Sequence, residues 1–330
     1  MLIAKERSIP EKILAKEALL SRLPPNFDYR PLIEKDLAKR KAGYRGEEFT
    51  DYYVNKLPHK DFTIIHDLRL HNGQGYFQID TMIFSSTFAL ILEIKNISGT
   101  LYFDSKFRQL IRYKDDNEDG FLDPITQAER QTRELRKWLQ QRNIFLPIEY
   151  LVVISNPSTV IKSDPQNFLA FKTVLHSHEL LDRIEKLRKS FLKEKLTQKE
   201  IKKVAKLLVK SHTPEKSQVL EKYKLSAFSL NTGVQCPKCR VFPMKRIYGT
   251  WFCARCKCKD KTAHYKALLD YCLLVESSIT NKQFRKFMQL SSQDTAQKLL
   301  KSMKLAHSGT NKGRVYYLNL SSLLDIRYSG

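Results

Sequence analysis

No cysteine occurs in the first 235 residues, and all six in the chain fall between Cys236 and Cys272. Without a secretion signal, such usage speaks against a disulfide framework. Long hydrophobic runs are also missing. Stretches such as Phe88 to Leu92 are far too short to cross a bilayer, and Met1-Leu2-Ile3-Ala4-Lys5-Glu6 leads into charge rather than a signal-peptide apolar region. A cytoplasmic protein outside the membrane is expected. Internal repeats and low-complexity tracts are absent, and 42% hydrophobic with 28% charged residues exclude collagen-like and largely disordered chains. At 330 residues the chain is longer than one core comfortably fills, so two or three domains are expected.

Acidic residues are scarce towards the C-terminus. Residues 1–180 carry 26 Lys and Arg against 24 Asp and Glu, or +2; residues 181–235 carry 14 against 6, or +8; residues 236–330 carry 18 against 5, or +13. Basicity confined to the second half predicts a polyanionic partner, most simply nucleic acid, gripped through its phosphates.

Hydropathy patterning predicts a helical segment over residues 1–40, broken at Pro10 and Pro24-Pro25, and then a mixed α/β domain over 41–178. Tyr44 to Leu57 reads as a helix; Phe62 to Ile65, Tyr76 to Phe84 and Phe88 to Asn96 read as strands. A meander over 99–113 precedes an amphipathic helix from Pro124 to Gln141 and a buried-type strand from Tyr150 to Ser155. Asp115 to Gly120 reads as an acidic loop tip. Residues 179–232, rich in Lys, Glu and Leu, are expected to be a basic helical linker.

Period-two alternation places Ile91, Glu93 and Lys95 on one strand face, and Gln78 and Asp80 on one face of the preceding strand. Charges among Phe, Ile and Leu are costly to desolvate unless they bind something. Two carboxylates suit Mg²⁺ or Mn²⁺ with a substrate phosphate completing the shell, and a lysine beside them can stabilise charge on that phosphate. Gln127 and Gln131 lie four apart on one helical face. The ordered pattern Gly43-Tyr44-Arg45-Gly46-Glu47, Gln78-Ile79-Asp80, Glu93-Ile94-Lys95-Asn96 with Gly99, then Pro124 and Gln127, resembles the nuclease-related domain family of the PD-(D/E)xK phosphodiesterases. That resemblance implies a restriction-endonuclease-like mixed-sheet core. It also implies Asp80 and Glu93 as metal ligands, Lys95 as catalytic lysine, Glu47 rather than Glu48 completing the acidic site, and Gln127 at its edge.

Cys236-Pro237-Lys238-Cys239 and Cys253-Ala254-Arg255-Cys256 supply four thiolates for a closed Zn²⁺ shell over residues 233–262, with Cys258 a rival to Cys256 as fourth ligand. The segment resembles the zinc ribbons of type IA topoisomerases. Residues 263–330 read as three helices and a basic hairpin, resembling a winged helix-turn-helix. Lys298 and Lys301 on the third helix, with Lys312 and Arg314 on the wing, are the candidate nucleic-acid contacts. Together these readings predict a Mg²⁺-dependent nuclease delivered to DNA by basic C-terminal modules. RNA, with the same backbone charge, is an open substrate, and the alternative is a non-catalytic DNA-binding or regulatory protein whose nuclease-like fold serves as a protein-interaction scaffold.

Overall fold

The computed structural model of the chain describes residues 2–58 and 60–328, the side chains of Leu2, Lys312 and residues 326–328 excepted. The chain divides into two compact units, Met1–Ser8 with Arg40–Glu215 and Ile9–Lys39 with Lys216–Gly330. No helix among the described residues is long and apolar enough to cross a membrane.

The N-terminal segment departs from the expected helix. Residues Leu2–Lys5 form an edge strand, β1, parallel to residues 63–65, followed by α1 (Glu11–Arg22) and α2 (Arg30–Val54). Four residues are too few to display a period, so only the free edge of the neighbouring strand makes them β. The helix expected from Tyr44 begins at Arg30 and passes through Gly43 and Gly46 unbroken. Gly46 marks its closest approach to the sheet, where a Cβ would lie 2.4 Å from Asn96 Cβ and 2.5 Å from Ser155 Oγ. No larger residue fits there without moving the helix.

The first unit continues through β2 (Thr63–His71), β3 (Tyr76–Phe84), β4 (Ala89–Lys95), β5 (Thr100–Asp104), β6 (Gln109–Lys114), β7 (Asn117–Leu122), α3 (Pro124–Gln140), β8 (Ile148–Ile154), β9 (Val160–Ser163), α4 (Phe168–Thr173), β10 (Val174–His176), α5 (Leu180–Ser190) and α6 (Gln198–Ser211). Its main sheet is mixed, in the order β1-β2-β3-β4-β8-β10, and a second sheet runs β7-β6-β5-β9. Helices cover both faces of the main sheet. Val54 at the end of α2, Leu57 just beyond it, and Leu180 and Ile184 of α5 pack with Ile64, Leu90, Leu92 and Val153. On the other face, α3 and α6 pack on Ile65, Met82 and Ile91.

Two expectations are corrected here. The lysine-rich α6 is no linker, because its lysines conceal an apolar stripe of Ile201, Val204, Ala205 and Leu208 that is buried on the sheet. The acidic tip is narrower than expected. Only Asp115 and Asp116, both in the left-handed region at φ 49° and 59°, make the turn, and Asn117 to Leu122 pair back on β6 as β7.

The second unit holds α1, the start of α2, α7 (Val219–Lys222), β11 (Lys245–Ile247), β12 (Thr250–Phe252), β13 (Lys259–Asp260), α8 (Ala263–Leu274), β14 (Ser278–Thr280), α9 (Asn281–Met288), α10 (Gln293–Ser302), β15 (His307–Ser308), β16 (Val315–Tyr317) and α11 (Leu320–Tyr328). Its two small sheets run β11-β12-β13 and β14-β16-β15. One core, including Leu19, Trp251, Leu268, Phe284 and Leu300, joins these elements.

Candidate functional site

Glu93 is buried on the central strand, on the face covered by α3. Both its oxygens are engaged: Lys95 Nζ lies 2.6 Å from Oε1, and Gln131 Nε2 donates to Oε2 at 2.7 Å. The same Lys95 ammonium donates to Gln127 Oε1 at 3.1 Å. Helix α3 can offer two glutamines one turn apart because Asp123 caps its first turn and Pro124 occupies N1, fixing where the helix begins.

Asp80 reaches this group by a different route from strand parity. The β3–β4 ladder ends at the Thr81–Leu92 pair. Beyond it, Asp80 Oδ2 accepts from the freed Ile94 N–H at 2.9 Å. On the other side of β3, the β2 ladder skips the Asp67–Asp80 step, with Asp67 at φ 48°. Ile79 and Met82 consequently enter the same core cluster although their positions differ by three, which strict alternation would put on opposite faces. Burial, and after it the Glu93 and Glu47 carboxylates, push Asp80 well above the usual carboxylate range.

Glu47 follows Gly46 on α2, and its Oε2 lies 2.5 Å from Arg7 Nη1. Burial outweighs Arg7 and, with Asp67, Asp51 and Glu93, raises Glu47 to about 7. The adjacent Glu48 is exposed and interacts with Tyr44. Arg7 also pairs with Asp51 (Nε to Oδ2, 2.6 Å) and donates to Thr81 Oγ1 at 2.7 Å and to the Asp80 carbonyl at 3.3 Å. Burial lowers His66 to about 4, so the neutral ring can accept from Arg7 at Nδ1, 3.1 Å away. Arg7, Asp51 and His66 were invisible to motif reading. Asp51 alone had a local signal, four residues after Glu47 on one helical face.

Among the described residues, Glu47, Asp80 and Glu93 do not form a tight three-carboxylate cage, since the one set of three or more His, Cys, Asp or Glu ligand atoms within 4.8 Å of one another is Cys236, Cys239, Cys253 and Cys256. Two carboxylates suit Mg²⁺, which keeps waters and takes substrate oxygens.

The cysteine cluster could hold a metal such as zinc. The Cys236–Cys256 and Cys239–Cys253 sulfurs are each 3.5 Å apart, close to the roughly 3.8 Å edge of a tetrahedron with Zn–S bonds of about 2.3 Å. The two knuckles repeat one turn, with the left-handed Arg240 and Lys257 donating N–H to the Cys236 and Cys253 carbonyls at 2.9 Å. Cys258 is outside the set of four, leaving Cys256 as the fourth candidate ligand. Purified protein should contain about one zinc per chain. Cys236→Ser should lose that metal and unfold the β11–β13 segment around it, since structural zinc contributes on the order of 10 kcal/mol to small metal-bound folds, whereas Cys258→Ser should retain it; metal analysis alongside thermal unfolding checks both.

Lys298 and Lys301 are exposed on α10, and Arg314 is half-buried just before β16. The side chain of Lys312 lies outside the described residues.

A family model described as nuclease-related domain (NERD) matches residues 42–155, about a third of the chain. The matched stretch carries Glu47, Asp80, Glu93, Lys95 and Gln127 but not Arg7. No curated protein and no solved structure matches the chain.

Proposed function

We propose that the first unit hydrolyses phosphodiester bonds of DNA with the help of Mg²⁺ or Mn²⁺, in the cytoplasm. The observation that supports this most is Glu93, buried yet held at both oxygens by Lys95 and Gln131, next to an Asp80 whose charge is disfavoured where it stands. Asp80 and Glu93 would hold the ion. Such an ion supplies charge neutralisation at the phosphate and a more acidic water. Lys95, anchored between Glu93 and Gln127, would place its ammonium against the negative charge developing on the phosphate and orient the attacking water. Gln127 would fix that ammonium, and Glu47, held by Arg7, would close the acidic side of the site.

In the second unit, residues 233–262 would form a zinc ribbon and residues 263–330 a winged-helix DNA-binding module. The order α8-β14-α9-α10-β15-β16, with β16 between β14 and β15, supports that reading. Lys298 and Lys301 would then face DNA from α10, and Lys312 and Arg314 would meet it from the hairpin connection.

The test is cleavage of duplex DNA, single-stranded DNA and RNA by the full chain with added Mg²⁺ or Mn²⁺. Asp80→Asn should remove cleavage. The same variant should unfold at or above the wild-type temperature without added divalent metal. A carboxyl whose folded pKa is raised destabilises the fold once it ionises, and asparagine keeps the acceptor for Ile94 N–H without the charge. No cleavage by wild type under any of these conditions, with nucleic-acid binding intact, would leave the fold as a binding scaffold.

A further inference from the structure

We infer that the α3–α6 face of the first unit is itself a surface for the phosphate backbone of duplex nucleic acid, so that this unit does not depend on the second for its grip. The idea rests on the nuclease reading for its choice of polyanion. Taken by units rather than by halves of the chain, the first carries 31 Lys and Arg against 24 Asp and Glu, or +7. This is no longer the near-neutral +2 of residues 1–180, because α5 and α6 belong to it.

Much of that excess is concentrated on one helix face. Lys199, Lys202, Lys203, Lys206 and Lys210 are all exposed on α6. At 100° per residue they fall within an arc of about 100°, and they extend along about 16 Å of helix. The opposite stripe is buried on the sheet and Thr197 caps the helix through a reciprocal bond with Glu200, so the row is held by a fixed element. The nearest acid on the helix is Glu200, which interacts with Lys203 and is itself held by the Thr197 cap. Helix α3 covers the same sheet face, and its Arg130 and Arg133, also exposed, begin one turn beyond Gln127. Exposed cations in a row on a rigid face, continuing onto the helix that holds the candidate site, match a rod carrying one negative charge per about 1.7 Å.

The experiment is fluorescence anisotropy of a short DNA duplex with the full-length protein, from about 50 to 200 mM salt, with no added divalent metal. The variant replaces all five α6 lysines with glutamine, a change nearly neutral for helix propensity, and a second variant carries only K199Q, K203Q and K206Q. Each lost phosphate contact should reduce the slope of log affinity against log salt by about 0.9, so the five together should reduce it by up to about 4.5 and the three by up to about 2.7. Circular dichroism checks that the fold is retained. An unchanged slope and affinity in the triple variant would overturn the proposal. So would unchanged DNA binding with lost binding to phosphatidylserine-rich vesicles, which would assign the face to a membrane surface. Because binding is read apart from cleavage, an inactive protein can still bear out this surface, and an active one can still refute it.

Discussion

Lys95→Ala should reduce metal-dependent cleavage by about 10²- to 10³-fold, the usual loss when one positioned donor to a developing negative charge is removed, while DNA affinity stays near wild type. Among the described residues Lys95 is the one cation bonded to Glu93, and its side chain is partly exposed, at 25%, whereas Glu93 is buried. It therefore spans the step from the interior to where a phosphate would sit. Alanine also leaves Glu93 with only Gln131, so a loss of stability has to be separated from a loss of chemistry. Lys95→Gln does this, because an amide can still donate to Glu93 but carries no charge. Its expected result is near-wild-type unfolding with cleavage still lost, read as kcat rather than KM. Wild-type cleavage by Lys95→Ala would exclude Lys95 from the reaction.

Apart from loss of metal at the cysteine cluster, the largest effect on stability is expected at the Arg22–Asp270 pair of the second unit. Both side chains are fully buried, with Nε 2.8 Å from Oδ2. Arg22 also donates to the Asn231 carbonyl at 2.8 Å and lies over the Phe287 ring at 4.5 Å, and Lys266 binds the second Asp270 oxygen. Arg22→Ala removes the buried one of the two partners of a charge that water does not reach, at a cost of about 3–5 kcal/mol. At about 2–4 °C per kcal/mol this lowers the unfolding temperature of that unit by roughly 10 °C. The Arg22→Met/Asp270→Leu double variant should recover much of the loss, because apolar groups of similar volume have no charge to desolvate. A small effect of Arg22→Ala in thermal denaturation, or no recovery in the double variant, would contradict this account.

Much of the first unit was legible from local pattern. Strand β3 spans Tyr76 to Phe84 as alternation predicts, and α3 begins at Pro124 behind its Asp123 cap. Glu93 and Lys95 share a face because they are two apart on one strand, and Gln127 is brought to Lys95 by a helix whose start the sequence marks. Asp80 was picked by a parity argument, yet it is the end of the β3–β4 ladder that aims its carboxylate. For α6, composition alone suggested a linker, whereas the spacing of Ile201, Val204 and Leu208 held the contrary signal.

By itself, then, the sequence determined what depends on neighbours within one element: strand and helix faces, caps, and the two Cys-x-x-Cys turns. These follow from backbone geometry over a few residues. The tertiary structure decided which distant groups meet. Arg7 comes to Glu47 from 40 residues away because a four-residue strand finds the free edge of β2. Arg22 finds Asp270 across 248 positions, and Cys256 rather than Cys258 joins the sulfur cluster although both are in reach along the chain. Such choices depend on the packing free energy of a whole core and on where a buried charge can be paired, and neither quantity is written in a local period.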